Sequence, residues 1–174
     1  AFEHDLKYDA GVQLINNLQL QAEESGVEFN LKLTNTLETT NNQNLLPDHE
    51  NMVYMSGRPL HVISINLAAK LQKEFAGKLD ISFSAGSDCV NIADVLGCGL
   101  QPVTVCSDLL KPGGYGRIAQ YLKLTREAVE NENSVSIEDI IAKKGQTGNA
   151  SGGAALANLE QYAAKVKDQN HYHK

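Results

Sequence analysis

The sequence lacks a long hydrophobic run, a surplus of basic residues and a recognisable cysteine motif. No apolar run approaches the roughly 18 residues of a membrane-spanning helix, and the N-terminus has neither a basic start nor an apolar export signal. The 21 acidic residues outnumber the 15 basic ones, giving a formal charge of -6, which argues against nucleic acid or an anionic membrane as the main partner. We therefore expect a cytoplasmic protein.

The three cysteines are odd in number and widely spaced. Cys89, Cys98 and Cys106 suit neither a disulfide framework nor a C-x-x-C metal motif. We expect reduced thiols, and no metal or iron–sulfur cluster held by this chain.

What is present is the composition of a folded protein. Hydrophobic residues make up 42% and charged residues 21% of the chain, near the averages for soluble globular proteins. The 174 residues are enough for one domain or a piece of a larger one, and folding at this size buries about 70% of the unfolded surface. The first residue is Ala1 rather than Met, which is compatible with a piece of a longer protein as well as with processing of the N-terminus.

The first part of the chain predicts strand, helix, strand and helix. Residues 2–6 are a weak strand candidate, and apolar residues recur at helical spacing over residues 12–22 before a glycine stop. Residues 27–33 alternate apolar and polar side chains as a strand does. Residues 34–57 are rich in Asn, Thr and acidic residues, which predicts a long loop. Residues 58–75 carry an early proline and an apolar stripe typical of a helix.

The next part is more regular. Residues 79–84 predict a strand, and Asp88 is the expected N-cap of the helix that follows. Residues 102–106 predict another strand, and residues 117–129 another helix. Strand and helix thus alternate four times, which predicts a parallel sheet with right-handed crossovers and an α/β fold.

The tail differs in kind. Residues 143–153 are rich in Lys, Gly, Asn and Ser, between a short helix and a longer one predicted for residues 154–167. The glycines of residues 148–153 resemble a phosphate loop only superficially, because no strand precedes them and no lysine completes a Walker pattern. We expect a domain over residues 1–130 and a helical linker over residues 131–174, toward a missing downstream domain.

Three loops after the predicted strands are candidate binding segments. In parallel α/β folds the C-terminal ends of the strands share one face, and the loops there build the site. This rule selects residues 34–36, 84–86 and 106–108. The last two segments open onto helix N-termini, whose free N–H groups carry partial positive charge, so together they predict an anion cradle. Ordinary turn chemistry explains the same residues, and both interpretations stay open.

Other side chains indicate function less directly. Asn35 and Thr36 suit a planar heterocycle, but capping residues also accumulate at strand ends. We interpret Cys106 as a small buried hydrophobe rather than a nucleophile, and no proton-transfer pair indicates a catalytic residue. The glycine-rich loop over residues 111–117 suits a phosphate, an acidic neighbouring domain or a merely flexible turn. We expect the C-terminal histidines, including His171, to lie in a frayed tail.

Three segments carry a resemblance to a known family. They are Met55-Ser-Gly-Arg-Pro-Leu-His61, Ile81-Ser-Phe-Ser-Ala-Gly86 and Pro102-Val-Thr-Val-Cys-Ser-Asp-Leu-Leu-Lys-Pro-Gly-Gly-Tyr-Gly-Arg117. Over roughly residues 2–125 the chain resembles the selenate reductase iron–sulfur subunits, large proteins also described as glutamate synthase-like oxidoreductases. Their corresponding segment is similar to the flavin-binding barrel of dihydroorotate and dihydropyrimidine dehydrogenases, and flavin and iron–sulfur modules lie elsewhere in those chains.

The resemblance implies the C-terminal half of a TIM-barrel-like (β/α)8 fold, with extra C-terminal helices. Asn35 and Thr36 match the Asn-Thr pair that faces the substrate ring. Five positions match residues around FMN and its phosphate. They are Gly57, Ala85, Gly86, Cys106 and Ser107.

The chain also departs from that family. Ala85 replaces a glycine of the phosphate loop, and His4-Asp-Leu-Lys7 does not evidently keep the flavin-contacting lysine. The catalytic base of those enzymes belongs to an earlier part of the barrel. We therefore expect no catalytic residue and no complete flavin site in this chain, FMN in the longer protein, and iron–sulfur clusters and FAD in its other domains.

Three functions stay open. The chain contributes a phosphate or FMN-binding rim to a flavin and iron–sulfur oxidoreductase, or is a non-catalytic scaffold that docks electron-transfer domains, or is a phosphate-ligand binding module. The expected partners are other domains or subunits of such an oxidoreductase. Four parallel strands do not close a barrel, so both sheet edges are exposed unless the tail helices or a second copy cover them, and a homodimer is one expected arrangement.

Overall fold

The structure is a computed structural model that describes residues 3–33, 36–42, 46–47, 49–145 and 153–172. The elements in chain order are α1 (Tyr8–Ser25), β1 (Leu31–Lys32), β2 (Leu37–Thr40), β3 (Met52–Met55), α2 (Arg58–Glu74), β4 (Ile81–Ser82), α3 (Ile92–Gly97), a 3-10 helix (Gly114–Arg117), α4 (Ile118–Asn131), α5 (Ile137–Gly145), α6 (Gly153–Val166) and a second 3-10 helix (Asn170–Tyr172). Within these ranges no helix combines the length and apolar character needed to cross a membrane.

Three parallel segments form the sheet that positions the site. β1 pairs with β4, with Leu31 opposite Ile81. A third segment joins β4 through a parallel bridge between Phe83 and Val103, and the Thr104 amide donates to the Phe83 carbonyl at 2.9 Å. The segments lie side by side in chain order and helices connect them, as in a TIM barrel. The predicted α/β class is confirmed, but the described residues show no closed barrel.

The segment before α1 is not a strand. Residues 3–7 form bends and coil, so the strand predicted for residues 2–6 is wrong over its described part. Leu6 is 67% exposed, and the Lys7 ammonium turns back to donate to the Glu3 carbonyl at 3.2 Å. This segment is exposed and closed by a local contact instead of strand pairing, and α1 begins at Tyr8.

Residues 34–57, predicted to be a loop, contain a β-hairpin. β2 and β3 pair antiparallel, with Leu37 opposite Met55, so the loop prediction is wrong here. The Asn41 side-chain amide donates across the connection to the Glu50 carbonyl at 2.9 Å. The Asn-rich composition that indicated a loop therefore belongs to the hairpin connection.

The core lies between the parallel segments and helices α2 and α6. α2 buries an apolar stripe from Leu60 to Leu71, which confirms the predicted helix. Phe83 of the sheet is 1% exposed, and Leu159 and Val166 of α6 are fully buried in the same cluster. Helix α6 is therefore built into the core that supports the site.

The tail contains the two helices that its sequence predicts, α5 and α6. The glycine-rich stretch over residues 146–152 lies outside the described residues. The boundary at residue 130, and the role of residues 131–174 as a linker toward a further domain, stay predictions.

Candidate functional site

A cavity of about 750 Å³ opens at the C-terminal ends of the parallel segments. Thr36 follows β1, Gly57 precedes α2, Gly86 follows β4, and Cys106 and Ser107 follow the third segment; all five residues line the cavity. The structure thus brings together the loops that the strand-end rule selects.

Two glycines allow these loops to touch. Gly86 has φ +63°, and a Cβ built on it would lie 2.7 Å from the Gly57 carbonyl carbon and 3.0 Å from the Arg58 Cα. Gly57 has φ +71°, and its Cβ would lie 3.6 Å from the Ser107 Cβ. Both φ values favour glycine, and at Gly86 a side chain would collide with backbone.

The remaining predicted positions lie elsewhere. Ala85 does not line the cavity, because it is 2% exposed and its carbonyl oxygen lies 2.7 Å from the His61 Nδ1. Asn35 lies outside the described residues. The roles of all these positions toward FMN or a substrate stay predictions.

Cys106 is exposed, so its interpretation as a buried hydrophobe is wrong. It lies beyond the bridged residue Val103, where the third segment has left the sheet. Cys98 is the buried thiol, and burial raises its pKa to about 12.

The cavity lining has a small excess of positive charge. Lys32, Arg58 and Lys111 are the cations along it, and Asp88 and Asp108 are the carboxylates. Both carboxylates are buried, which places their charges behind the surface of the cavity. This distribution favours an anion over a cation.

Asp108 organises the glycine-rich loop over residues 111–117. Arg117 donates to both carboxylate oxygens at 3.0 Å, Lys111 donates at 2.9 Å, and the Tyr121 hydroxyl donates at 2.7 Å. Burial alone raises the pKa of Asp108, but these hydrogen bonds lower it to about 2. Asp108 is therefore ionised at neutral pH, and the loop is tied to it rather than merely flexible.

Asp88 organises the loop after β4. Its Oδ1 accepts the Val90 amide at 2.9 Å, and its Oδ2 accepts from Arg58 at 3.0 Å and lies 2.8 Å from the His171 Nε2. Burial raises the pKa of Asp88, but hydrogen bonds, above all that from His171, give a net lowering. The predicted N-cap serves the turn before α3, since α3 itself begins at Ile92.

His171 corrects the expectation of a frayed tail. It lies in the 3-10 helix Asn170–Tyr172 and pairs with Asp88 across 83 residues of sequence. No spacing pattern marks a pair so distant in the chain. His173 lies outside the described residues.

Two buried hydroxyl groups belong to residues of the cavity lining. The Oγ atoms of Ser84 and Ser87 have no hydrogen-bond partner among the described residues, and both residues line the cavity. Buried polar atoms are nearly always paired, so these two hydroxyls stand out in the lining of the cavity, although the Ser64 Oγ on α2 is also unpaired. The sequence marks Ser87 only as part of a small-residue turn.

His61 is buried behind the site rather than in it. Burial lowers its pKa to about 4, and its Nε2 lies 2.9 Å from the Tyr162 hydroxyl. His61 belongs to α2, and its neutral ring connects this helix to α6. In the described ranges no group of three His, Cys, Asp or Glu side chains is placed to hold a metal ion.

Parallel strands joined by helices, with a cavity at the strand C-terminal ends, define the class of α/β domains that build their sites at this edge of the sheet. The model of the family described as "Oxidoreductase YgfK, N-terminal TIM-barrel domain" matches residues 1–174. The chain belongs to this family.

Two relatives give the same assignment. The YgfK proteins of Escherichia coli strain K12 and of Escherichia coli O157:H7 are each 45% identical to the chain over 123 residues. The match covers 71% of this chain and 12% of each relative, so the chain spans a small part of their length. No solved structure matches the chain.

Proposed function

We propose that this chain forms a phosphate-binding rim for FMN within a larger flavin and iron–sulfur oxidoreductase. The rim is the edge of the cavity at Gly57, Gly86 and Ser107. The observation that carries the proposal is the convergence of Gly57, Gly86 and Ser107 on one cavity. Proteins bind phosphate with backbone N–H groups in glycine-rich turns and with hydroxyl groups. Membership of an oxidoreductase family supports the redox context.

The residues present fit a phosphate group. The unpaired hydroxyls of Ser84 and Ser87 are potential donors, and the cations of the lining outnumber its carboxylates. The cavity volume of about 750 Å³ lies within the usual range for cofactor sites.

FMN, when bound, supplies hydride and electron-transfer chemistry. The part of this chain is to bind and orient the phosphate, while Asp88 and Asp108 hold the rim loops through Arg58 and Arg117. We assign no catalytic residue, because His61 is fully buried and bonded on both ring nitrogens and His171 is paired with Asp88.

For the longer protein we propose iron–sulfur clusters and FAD in other domains. Selenate reductase or glutamate synthase-like chemistry is the corresponding proposal for its reaction, and the cytoplasm for its location. These proposals rest on the family resemblance.

A second candidate function is docking of an electron-transfer domain. The observation in its favour is a pair of large apolar side chains, Leu110 and Tyr115, each 82% exposed on the loop that Asp108 holds. Tyr115→Ser should weaken association with the other domains of the longer protein and leave FMN affinity unchanged. Unchanged association would contradict docking at this loop.

The proposal for FMN is tested by comparing FMN with riboflavin, which lacks only the phosphate. We expect FMN to bind at least about ten-fold more tightly, a difference of about 1.4 kcal/mol, measured by quenching of flavin fluorescence. Ser107→Asp should abolish this preference by charge repulsion. Asn17→Asp adds the same charge on the exposed side of α1 and should leave it intact.

Equal affinities for FMN and riboflavin would contradict the proposal. Inorganic phosphate binding without any gain from the flavin ring would favour the stand-alone phosphate module instead.

A further inference from the structure

The C-terminal 3-10 helix Asn170–Tyr172 rests on the loop that carries Gly86. His171 Nε2 lies 2.8 Å from the Asp88 Oδ2, and the Asn91 side-chain amide donates to the Tyr172 hydroxyl at 3.0 Å. The same Asn91 amide donates to the Gly86 carbonyl at 3.0 Å. Asn91 thus connects the tail, through two hydrogen bonds, to the glycine that closes the cavity rim.

The donor and the acceptor of each hydrogen bond behind the rim can be assigned, starting from the Ala85 carbonyl. The Ala85 carbonyl can only accept, so His61 donates to it from Nδ1 at 2.7 Å. A neutral His61 then accepts at Nε2 from the Tyr162 hydroxyl at 2.9 Å. Tyr162 in turn accepts from the Tyr172 hydroxyl at 3.1 Å.

This chain of bonds starts and ends in the rim loop. Asn91 begins it and Ala85 ends it, and Tyr172 is the link contributed by the tail. The Tyr172 ring also stacks on the buried His61 ring, with centroids 5.0 Å apart and planes at 5°. Loss of the Tyr172 hydroxyl would break the chain between Asn91 and Tyr162.

We propose that His171 and Tyr172 are positioning residues that fix the loop over residues 85–91 for a phosphate-bearing ligand. The proposal rests on the proposed function. Because coupling between two sites is reciprocal, a ligand in the cavity also holds the tail segment in place.

The test removes each polar contact of the tail while keeping the fold. Tyr172→Phe keeps the ring stack and loses the hydroxyl, and His171→Ala loses the pair with Asp88. Tyr54→Phe and His49→Ala are matched controls on exposed side chains of the hairpin region. We expect each tail variant to weaken FMN by about ten-fold, within the usual range of site coupling, and to leave riboflavin affinity and the controls unchanged.

Hydrogen exchange gives a second readout, measured both without a ligand and with FMN. The Val90 and Asn91 amides, which donate to Asp88, should exchange faster in both tail variants, with α1 unchanged, and FMN should slow exchange over residues 170–172. Equal loss of FMN and riboflavin affinity, or faster exchange throughout the chain, would show a merely structural role and overturn the proposal.

The proposed function and the positioning role of His171 and Tyr172 can each be contradicted independently of the other. If the unaltered chain binds neither FMN nor inorganic phosphate, the proposed function falls. The positioning role is then decided by exchange in the loop, and unchanged exchange in the tail variants overturns it.

Discussion

Gly86 makes the closest backbone approach among the glycines that line the cavity, since its Cβ position is filled by the Gly57 carbonyl. Its φ of +63° adds a conformational demand that alanine meets poorly. The residue therefore controls how closely the loop after β4 and the turn before α2 meet.

Gly86→Ala should lower the free energy of unfolding by about 2–4 kcal/mol. About 1–2 kcal/mol comes from the left-handed backbone, and the rest from displacing the backbone of the Gly57 turn. Gly26→Ala is the matched control, because Gly26 has φ +66° with nothing within 4 Å of its Cβ position. Urea unfolding measures both variants, and equal losses would contradict the contact at Gly86.

Asp108 should make the chain sensitive to acid. Its pKa in the fold is about 2, against an ordinary value of 3.8. Since the folded pKa is the lower one, the stabilisation is fully present above the ordinary value and is lost as the pH falls from about 4 through 2.

Asp108→Asn should destabilise the chain at pH 7 by about 2 kcal/mol, because the fold then loses the stabilised carboxylate that Arg117 binds. The loss of stability between pH 4 and 2 should also become shallower than in the unaltered chain. Asp5→Asn, at an exposed position, is the control for both measurements. An unchanged acid slope in Asp108→Asn would show that other groups cause the acid sensitivity.

Some residues of the site can be predicted from the sequence, because they directly follow a predicted parallel strand. Gly86 and Ser107 are found in this way, because parallel strands bring their following loops together. Gly57 precedes α2 and follows the antiparallel hairpin, so only the family resemblance points to it. The pair of His171 and Asp88 cannot be found, because it depends on where a distant tail segment docks.

Among the elements, α6 supports the site through the core. Leu159→Ala should cost about 2–5 kcal/mol, since Leu159 is fully buried and its loss leaves a cavity. Leu110→Ala, at a side chain 82% exposed, should change stability by less than about 0.5 kcal/mol. Thermal and urea unfolding measure both variants, and a near-neutral Leu159→Ala would contradict the packing of α6 into the core.

A helix with regular apolar spacing can be predicted from its own sequence. A short strand that depends on pairing with another segment cannot. The apolar spacing of residues 58–75 predicts α2, but the buried face is formed by Leu60, Ile65, Ala68 and Leu71, and Ile63 is 47% exposed. β4 spans two residues and continues as a single bridge at Phe83, so a strand predicted for residues 79–84 is too long. The hairpin forms by pairing between β2 and β3, and this pairing cannot be predicted because the composition of the segment is typical of a loop.

On the scale of the whole molecule, β1 pairs only with β4 within the described residues. An apolar groove of about 310 Å³ is lined by residues of α1, of α2 and of the β1 segment, including Leu31. Leu14 and Leu18 line this groove, and they are 48% and 38% exposed. An open parallel edge flanked by apolar surface favours self-association.

We therefore predict a homodimer through the β1 edge. Leu14→Glu should shift it toward monomer, whereas Leu20→Glu, at an exposed position outside the groove, should not. Size-exclusion chromatography with light scattering at equal protein concentration measures the three chains. A monomeric unaltered chain would contradict the prediction.

The measurement that tests the rim most directly is a titration of the 15N-labelled chain with inorganic phosphate, followed by amide chemical shifts. If the three residues form one anion site, the amides of Gly57, Gly86 and Ser107 should shift together and saturate with one dissociation constant, while amides of α1 stay unchanged. Independent curves at the three positions, or shifts confined to surface lysines, would contradict a common anion site.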